Sequence, residues 1–473
     1  MKNNYIILLG LLALIGAASC SSNKQAADMI IYNATIITMN EEMPEASVMV
    51  IDKGKIVAVG SEELLQTYTC NDTNKHDFGG KFVYPGFIDA HCHFYGYAKT
   101  NLTCDLTGTK SWEDVIERLV IHSKKDTSGW ILGRGWDQND WVEKSYPTFD
   151  ELNQLFPNRP VFLKRIDGHA AICNKKALEI ANISFGVVPG WHFLVPPKIE
   201  GGEFLMVGNE FKGVLIDNAV DLVEKSVPKA DPVEFMQSLK ETEQACFSKG
   251  LTCVADAGLE LEECLYLDSL QNQGILSIYM YLMLNPNKKS MDFAHQKGIY
   301  ETDHTRIGSF KVYADGALGS RGALLKQAYS DNHHAHGLSV NSPEFIDSFV
   351  REATMTTQYQ VNTHCIGDSA NKLVMSLYGK YLNGSNDRRY RIEHAQIVEP
   401  VDWHLFKTFN IIPSVQPTHA TSDGPWVEQR IGSERMKSAY PYKSLLNVSG
   451  ILALGTDFPV EDINPIYTFY SAV

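Results

Sequence analysis

The sequence predicts an α/β chain built as a (β/α)8 TIM barrel with a small N-terminal β-sandwich segment. Eight short apolar runs between Phe82 and Gly455, separated by helix-length stretches, argue for parallel strands with helices outside. No Gly-rich phosphate loop follows any of them, which speaks against an open doubly wound sheet. Histidines and an aspartate end several of these runs, and in a barrel such ends meet at one face.

The chain opens with Lys2, an apolar run from Ile6 to Ile15, and Gly16-Ala17-Ala18-Ser19 before Cys20. That run is too short to cross a bilayer comfortably and suits a signal peptide over 1–19. Small residues followed by Cys20 resemble a bacterial lipobox. The expectation is cleavage before Cys20, lipidation of its sulfur, and a membrane-anchored, exported lipoprotein held by that lipid alone on the periplasmic side of the outer membrane. Residues 20–28 read as the lipidated, flexible tether.

Residues 29–82 alternate β-branched runs with turn residues and read as the β-sandwich segment, incomplete by itself. Asp52-Lys53-Gly54-Lys55 reads as a hairpin turn, with Gly54 free to take positive φ. From Val83 to the end the rhythm is that of the barrel. Trp112 to Ser123 is expected as a helix capped by Ser111, with Asp114 three residues on. The barrel strands are expected at Phe82–Ala90, Val161–Leu163, Leu251–Ala255, Ile307–Tyr313, Gln360–His364, Tyr390–His394, Ile411–Val415 and Ile451–Gly455. The Gly- and Pro-rich region Phe185–Val214 is expected as a loop insertion over the barrel mouth, a lid or substrate wall.

A formal charge of -14 over 473 residues, with no run of Lys or Arg, gives no footprint for nucleic acid. Nine cysteines without CxxC spacing give no disulfide framework, so those other than Cys20 are expected mostly as buried thiols.

His91-Cys92-His93 ends the first apolar run, and residues i and i+2 of a strand project from one face, so two imidazoles there can hold a cation. The triplet alone is weak. His334-Ala335-His336 has the same spacing in a polar stretch and reads as a solvated loop. What strengthens the first triplet is the company at other strand ends: His364, His394 and Asp457. Lys311 lies inside the apolar run Ile307–Tyr313. Its amine is either desolvated, paired, converted to something anionic that metals can use, or reaching solvent.

Pro85-Gly86-Phe87-Ile88-Asp89-Ala90-His91-Cys92-His93, Asp167-Gly168-His169-Ala170-Ala171, the run from Lys311 to Arg321, Arg391-Ile392-Glu393-His394-Ala395-Gln396 and Leu454-Gly455-Thr456-Asp457-Phe458-Pro459 together resemble the amidohydrolase superfamily. Within it they are most similar to the amidohydrolase 3 group, which includes N-substituted formamide deformylases. The resemblance spans nearly everything after Met29. It implies a metal-binding hydrolase with zinc, one or two divalent metals, and a carboxylated lysine formed from CO2 at Lys311. His91 and His93 would hold one metal and His364 and His394 the other. Lys311 would bridge them, and Asp457 would contact the first metal. Metal lowers the pKa of water toward neutrality, and Asp457 is expected to shuttle the proton during attack on an amide.

His169 and His419 resemble positions near the site and, with Arg321, are expected to bind the small-molecule substrate. Asp89 and Glu393, just before ligand positions, are expected to face the other side of their strands as structural or orienting groups. Relatives continue beyond the last ligand. The chain is therefore expected to be a truncated product with reduced stability, its barrel (83–473) stopping after the eighth strand. The activity implied is hydrolysis of carbon–nitrogen bonds other than peptide bonds. A solute-binding or catalytically impaired lipoprotein and a metal-dependent barrel isomerase stand beside it, and a homo-oligomer stays open.

Overall fold

Residues 27–125, 129–187 and 194–473 are described by the structure, a computed structural model. The expected signal peptide 1–19, Cys20 and most of the 20–28 tether lie outside the described residues. The chain divides into two units, with the boundary between Gly86 and Phe87.

The first unit carries two small sheets. One runs in the order Lys55–Gly60, Val48–Asp52, Met29–Tyr32, Asn74–Asp77, and the other Glu45–Ala46, Thr35–Ile37, Phe82–Val83. Lys53 and Gly54 have φ of 50° and 73°, so the expected hairpin turn forms with both central residues left-handed, as the tight two-residue turn requires. Ala27, Ile30, Val48 and Val50 form this unit's buried centre.

The second unit is built on a nearly closed eight-stranded parallel barrel. Its strands are β1 (Phe87–Cys92), β2 (Leu251–Leu259), β3 (Tyr279–Leu284), β4 (Thr305–Tyr313), β5 (Gln360–Cys365), β6 (Arg391–His394), β7 (Ile412–Val415) and β8 (Ala453–Leu454), each paired with the next. β8 and β1 meet without a regular ladder. The backbone N–H of Asp457 donates to His91 O and that of His93 to Phe458 O, both at 2.8 Å. The Asp89 carboxylate accepts the Thr456 hydroxyl at 2.7 Å. A Cβ on Gly455 would lie 2.6 Å from the His91 nitrogen, so the seam needs glycine there for close approach.

Two expectations, one for a strand and one for a loop, are corrected. Val161–Arg165 belongs to a separate six-stranded sheet in the order Gly202–Val207, Glu210–Asp217, Ala170–Cys173, Val161–Arg165, Ile131–Trp136, Cys104–Asp105. Its link to Ala170–Cys173 is only Ile166 to His169, too short for a crossover helix, so the two pair antiparallel. The barrel place is taken by β3, an equally apolar run with no ligand residue at its end. The region Phe185–Val214 is not a loop over the mouth. Apart from residues 188–193, which lie outside the described residues, it forms short strands, of which Gly202–Val207 and Glu210–Asp217 pair antiparallel in the six-stranded sheet. Helix Trp112–Ser123 forms as expected, with Ser111 Oγ accepting the Asp114 N–H at 3.2 Å.

Candidate metal centre

β1, β4, β5, β6 and the residues after β8 bring His91, His93, Lys311, His364, His394 and Asp457 to the carboxyl face of the barrel. Asp457 Oδ1 lies 3.6 Å from His91 Nε2 and 3.2 Å from His93 Nε2. Its Oδ2 lies 3.9 Å from His394 Nδ1 and 3.5 Å from His419 Nε2. Lys311 Nζ is 3.4 Å from His91 Nε2, and the His364 ring is centred 4.5 Å from that of His394. One donor atom from each of His91, His394 and Asp457 falls within a 4.8 Å cluster, the spread a single cation can gather. His394 and Asp457 have φ of 73° and 63°, a conformation that is costly for residues other than glycine and is maintained here at the strand ends.

The electrostatics suit a cation. Burial lowers His91 to about 4, Lys311 and Glu393 acting in opposite senses on it. Burial likewise holds His364 and His394 well below the usual imidazole range, so all three are neutral donors at pH 7. Burial alone would raise Asp457, but His91, His93 and His394 keep its carboxylate well below the usual range. Asp457 Oδ1 and His364 Nδ1 are buried and make no well-formed hydrogen bond within the protein. Neutral imidazoles around an ionised carboxylate, with donor atoms left unsatisfied, fit a bound divalent metal.

Lys311 is buried, and no carboxylate comes within ion-pair distance of it among the described residues. Burial brings its amine down to about 8, with Glu393 and Asp457 opposing the shift. Of the readings of Lys311 drawn from sequence, access to solvent is excluded.

A second layer holds the first. Glu393 Oε2 meets His91 Nδ1 at 2.5 Å, and Arg391 Nε donates to Glu393 Oε1 at 2.6 Å. Gln416 Oε1 meets His394 Nδ1 at 2.8 Å, and Gln396 Nε2 contacts His419 Nδ1 at 3.1 Å. The expectation that Glu393 faces away from the ligands is corrected. The left-handed turn at His394 breaks strand alternation, so Glu393 and His394 both reach His91. Asp89 lies two residues before His91 and therefore on its side of β1, where it binds the seam and serves no ligand ring.

The centre opens into a cavity of about 780 Å3, lined by His93, Lys311, His364, His394 and Asp457 and also by His169 and His419. This size suits a small molecule. His169 Nδ1 is held by Asp217 Oδ1 at 2.7 Å. Arg321 is not brought to the cavity. Its guanidinium pairs with Asp331, Nη2 to Oδ2 at 2.9 Å. His334 and His336 are exposed in a loop, as read. All eight described cysteines are free thiols, six of them buried.

Arg391, Gln416, Asp217 and Arg134 were not singled out as site residues from sequence, while Glu393 was expected as an orienting group, though on the other side of its strand. Gln416, one residue past β7, carried a positional signal: it is a polar residue at a strand's carboxyl end.

Residues 76–473 match the sequence profile of the amidohydrolase family. The chain is 34% identical to protein LONG AFTER FAR-RED 3 of Arabidopsis thaliana, over 94% of this chain and 78% of that one. It is 30% identical to the putative amidohydrolase YtcJ of Bacillus subtilis, over 93% and 83%. It is 24% identical to the N-substituted formamide deformylase of Arthrobacter pascens, over 95% and 84%. Among solved structures, an uncharacterized metal-dependent hydrolase from Pyrococcus horikoshii superposes with a TM-score of 0.73 at 28% identity, covering 94% of this chain and 86% of that one.

Proposed function

The chain belongs to the amidohydrolase family and is a metal-dependent hydrolase, and we propose that it cleaves carbon–nitrogen bonds other than peptide bonds, such as those of amides or N-substituted formamides. The observation that carries this reading is the convergence of His91, His93, His364, His394, Lys311 and Asp457 at one centre, all but the buried His91 lining a single small-molecule cavity. A metal, which we take to be zinc, would be held by His91, His93 and Asp457, with a second between His364 and His394 and a carboxylated Lys311 between the two. When bound, such metals polarise a carbonyl and bring the pKa of water toward neutrality.

The protein's own groups supply the rest. Asp457 lies within 4 Å of three cavity-lining imidazoles and is ionised, so it can take a proton from the attacking water and return it to the leaving nitrogen. Lys311 has a desolvated amine of lowered pKa, the form that adds CO2 with loss of a proton. His169, held by Asp217, and His419, held by Gln396, stand where they can donate to the substrate carbonyl.

Elemental analysis of purified protein, followed by a screen of N-acyl and N-formyl compounds, tests the reading. Zinc at one to two equivalents and release of free amine are expected, and a protein that takes up no divalent metal would overturn it. Asp457→Asn is expected to keep the fold and lose turnover by about 10²-fold or more. Retained activity would remove the shuttle role. Export and lipid attachment at Cys20 we also propose, on the leader sequence alone; metabolic labelling with a radioactive fatty acid, lost in Cys20→Ala, tests them.

A further inference from the structure

The cavity holds three strong cations besides its histidines: Lys311, Arg165 and Arg134. Lys311 belongs to the metal centre. Arg165 is spent, lying 2.5 Å from both Asp137 and Asp167. Arg134 differs. It stands on Ile131–Trp136, where its neighbours Ile131 and Gly133 are buried and Arg134 itself is half-buried and lines the cavity.

Its Nη2 donates to the Ile166 carbonyl at 3.0 Å, which steadies the head group. Its Nε is buried and has no hydrogen-bond partner. Among the described residues no carboxylate lies within ion-pair distance of it. The acids nearest in charge are committed elsewhere: Asp167 to Arg165, Glu224 to Lys164, and Asp457 to the histidines. A guanidinium offers five donors in a planar fork, and among the described residues only one bond is made to it. A half-buried cation with free donors, facing the same cavity as the reacting groups, lacks an anion that the protein does not supply.

We infer that Arg134 binds a carboxylate on the substrate, so that the compounds hydrolysed are N-acyl or N-formyl amines bearing a carboxylate. This rests on the hydrolase reading for the identity of the scissile bond but not for the binding of the anion. One unpaired cation matches one negative charge. A dianion such as a phosphate ester would leave a charge unmatched in a cavity that also carries Asp105, Asp140, Asp423, Glu461 and Asp462. Arg134 is thus a specificity-determining residue, and no step of the chemistry passes through it.

The test uses N-formyl and N-acetyl derivatives of leucine and phenylalanine, each paired with its carboxamide. Binding to the purified protein is measured by calorimetry, and kcat and KM are measured separately. The wild type is expected to bind at least one acid about 10- to 100-fold more tightly than its carboxamide, the range for a charge-assisted pair. Arg134→Met should erase that preference through KM while leaving metal content and Tm near those of the wild type. Arg134→Lys, which keeps the charge and loses the fork, should recover part of it and serves if the methionine variant does not fold. Equal binding of acid and carboxamide, no binding of any acid, or a preference that survives both substitutions overturns the subsite. Acids that bind through Arg134 and are never cleaved sink the hydrolysis of these amides alone and leave the subsite standing.

Discussion

Glu393 links Arg391 to His91 through bonds of 2.6 Å and 2.5 Å, all three buried. Burial would raise its carboxyl, but Arg391 and His91 outweigh that and hold it down to about 2. A carboxylate behind a ligating imidazole fixes the ring's orientation and raises its basicity. Glu393→Gln is therefore expected to weaken metal binding about 10- to 100-fold, read by competition with a chelator. It should also cost about 1–3 kcal/mol of stability at neutral pH, because Arg391 loses its charged acceptor. The folded pKa is depressed, so the carboxylate's stabilisation is present above its unfolded value of about 4.3 and fades as pH falls through 2. The stability gap between variant and wild type should thus narrow on acidification, and a constant gap from pH 7 to pH 3 would contradict the assignment. The candidate ligands other than Lys311 were legible because each stands at or just past the end of an apolar run. The orienting role expected of Glu393 is the one its bond to His91 shows, but the side of the strand it takes was not legible, because that depends on the backbone turn at His394, and a non-glycine residue gives no sign in the sequence that it will take φ of 73°.

At the scale of elements, the seam between β8 and β1 carries two of the proposed ligands at once. His91 O and Asp457 N are joined at 2.8 Å, so the strand closing the barrel also sets the spacing of His91 and Asp457. Gly455→Ala would place a methyl 2.6 Å and 2.7 Å from the His91 backbone N and O, where only backbone movement can relieve it. A loss of about 1–3 kcal/mol is expected, together with lower metal content, read by thermal melting and elemental analysis. Thr456→Val, nearly equal in volume, removes the hydroxyl that donates to Asp89 and accepts the Phe458 N–H. It should destabilise by about 1–3 kcal/mol, since a buried carboxylate loses a partner. If the alanine variant melts and binds metal like the wild type, the seam does not control the centre. Sequence periodicity found seven of the eight barrel strands. It could not tell β3 from Val161–Arg165, because both are short apolar runs and only pairing distinguishes them.

For the whole molecule, the proposed carbamate at Lys311 would couple metal binding to the fold. Its amine is buried on β4 between the ligands of β1 and β5, at about 8 when unmodified. Once the ammonium has given up a proton, addition of CO2 to the neutral amine would join the carbon to Nζ and release a second proton, so that a cation that repels metals would become an anion that attracts them. Chelation followed by dialysis into CO2-free buffer should lower Tm, because ligands that bind only the folded state stabilise it in proportion to RT ln(1 + [L]/Kd). Zinc returned without bicarbonate should restore part of the Tm and about one equivalent of metal. Zinc with bicarbonate should restore the rest, and more readily at pH 8 than at pH 6, because the neutral amine is the reacting form. In Lys311→Met the amine is gone, so bicarbonate should make no difference to stoichiometry or Tm, while the site of His91, His93 and Asp457 still takes one metal. Equal metal content with and without bicarbonate in the wild type would show Lys311 to be an unmodified buried amine, and the centre would then hold a single ion.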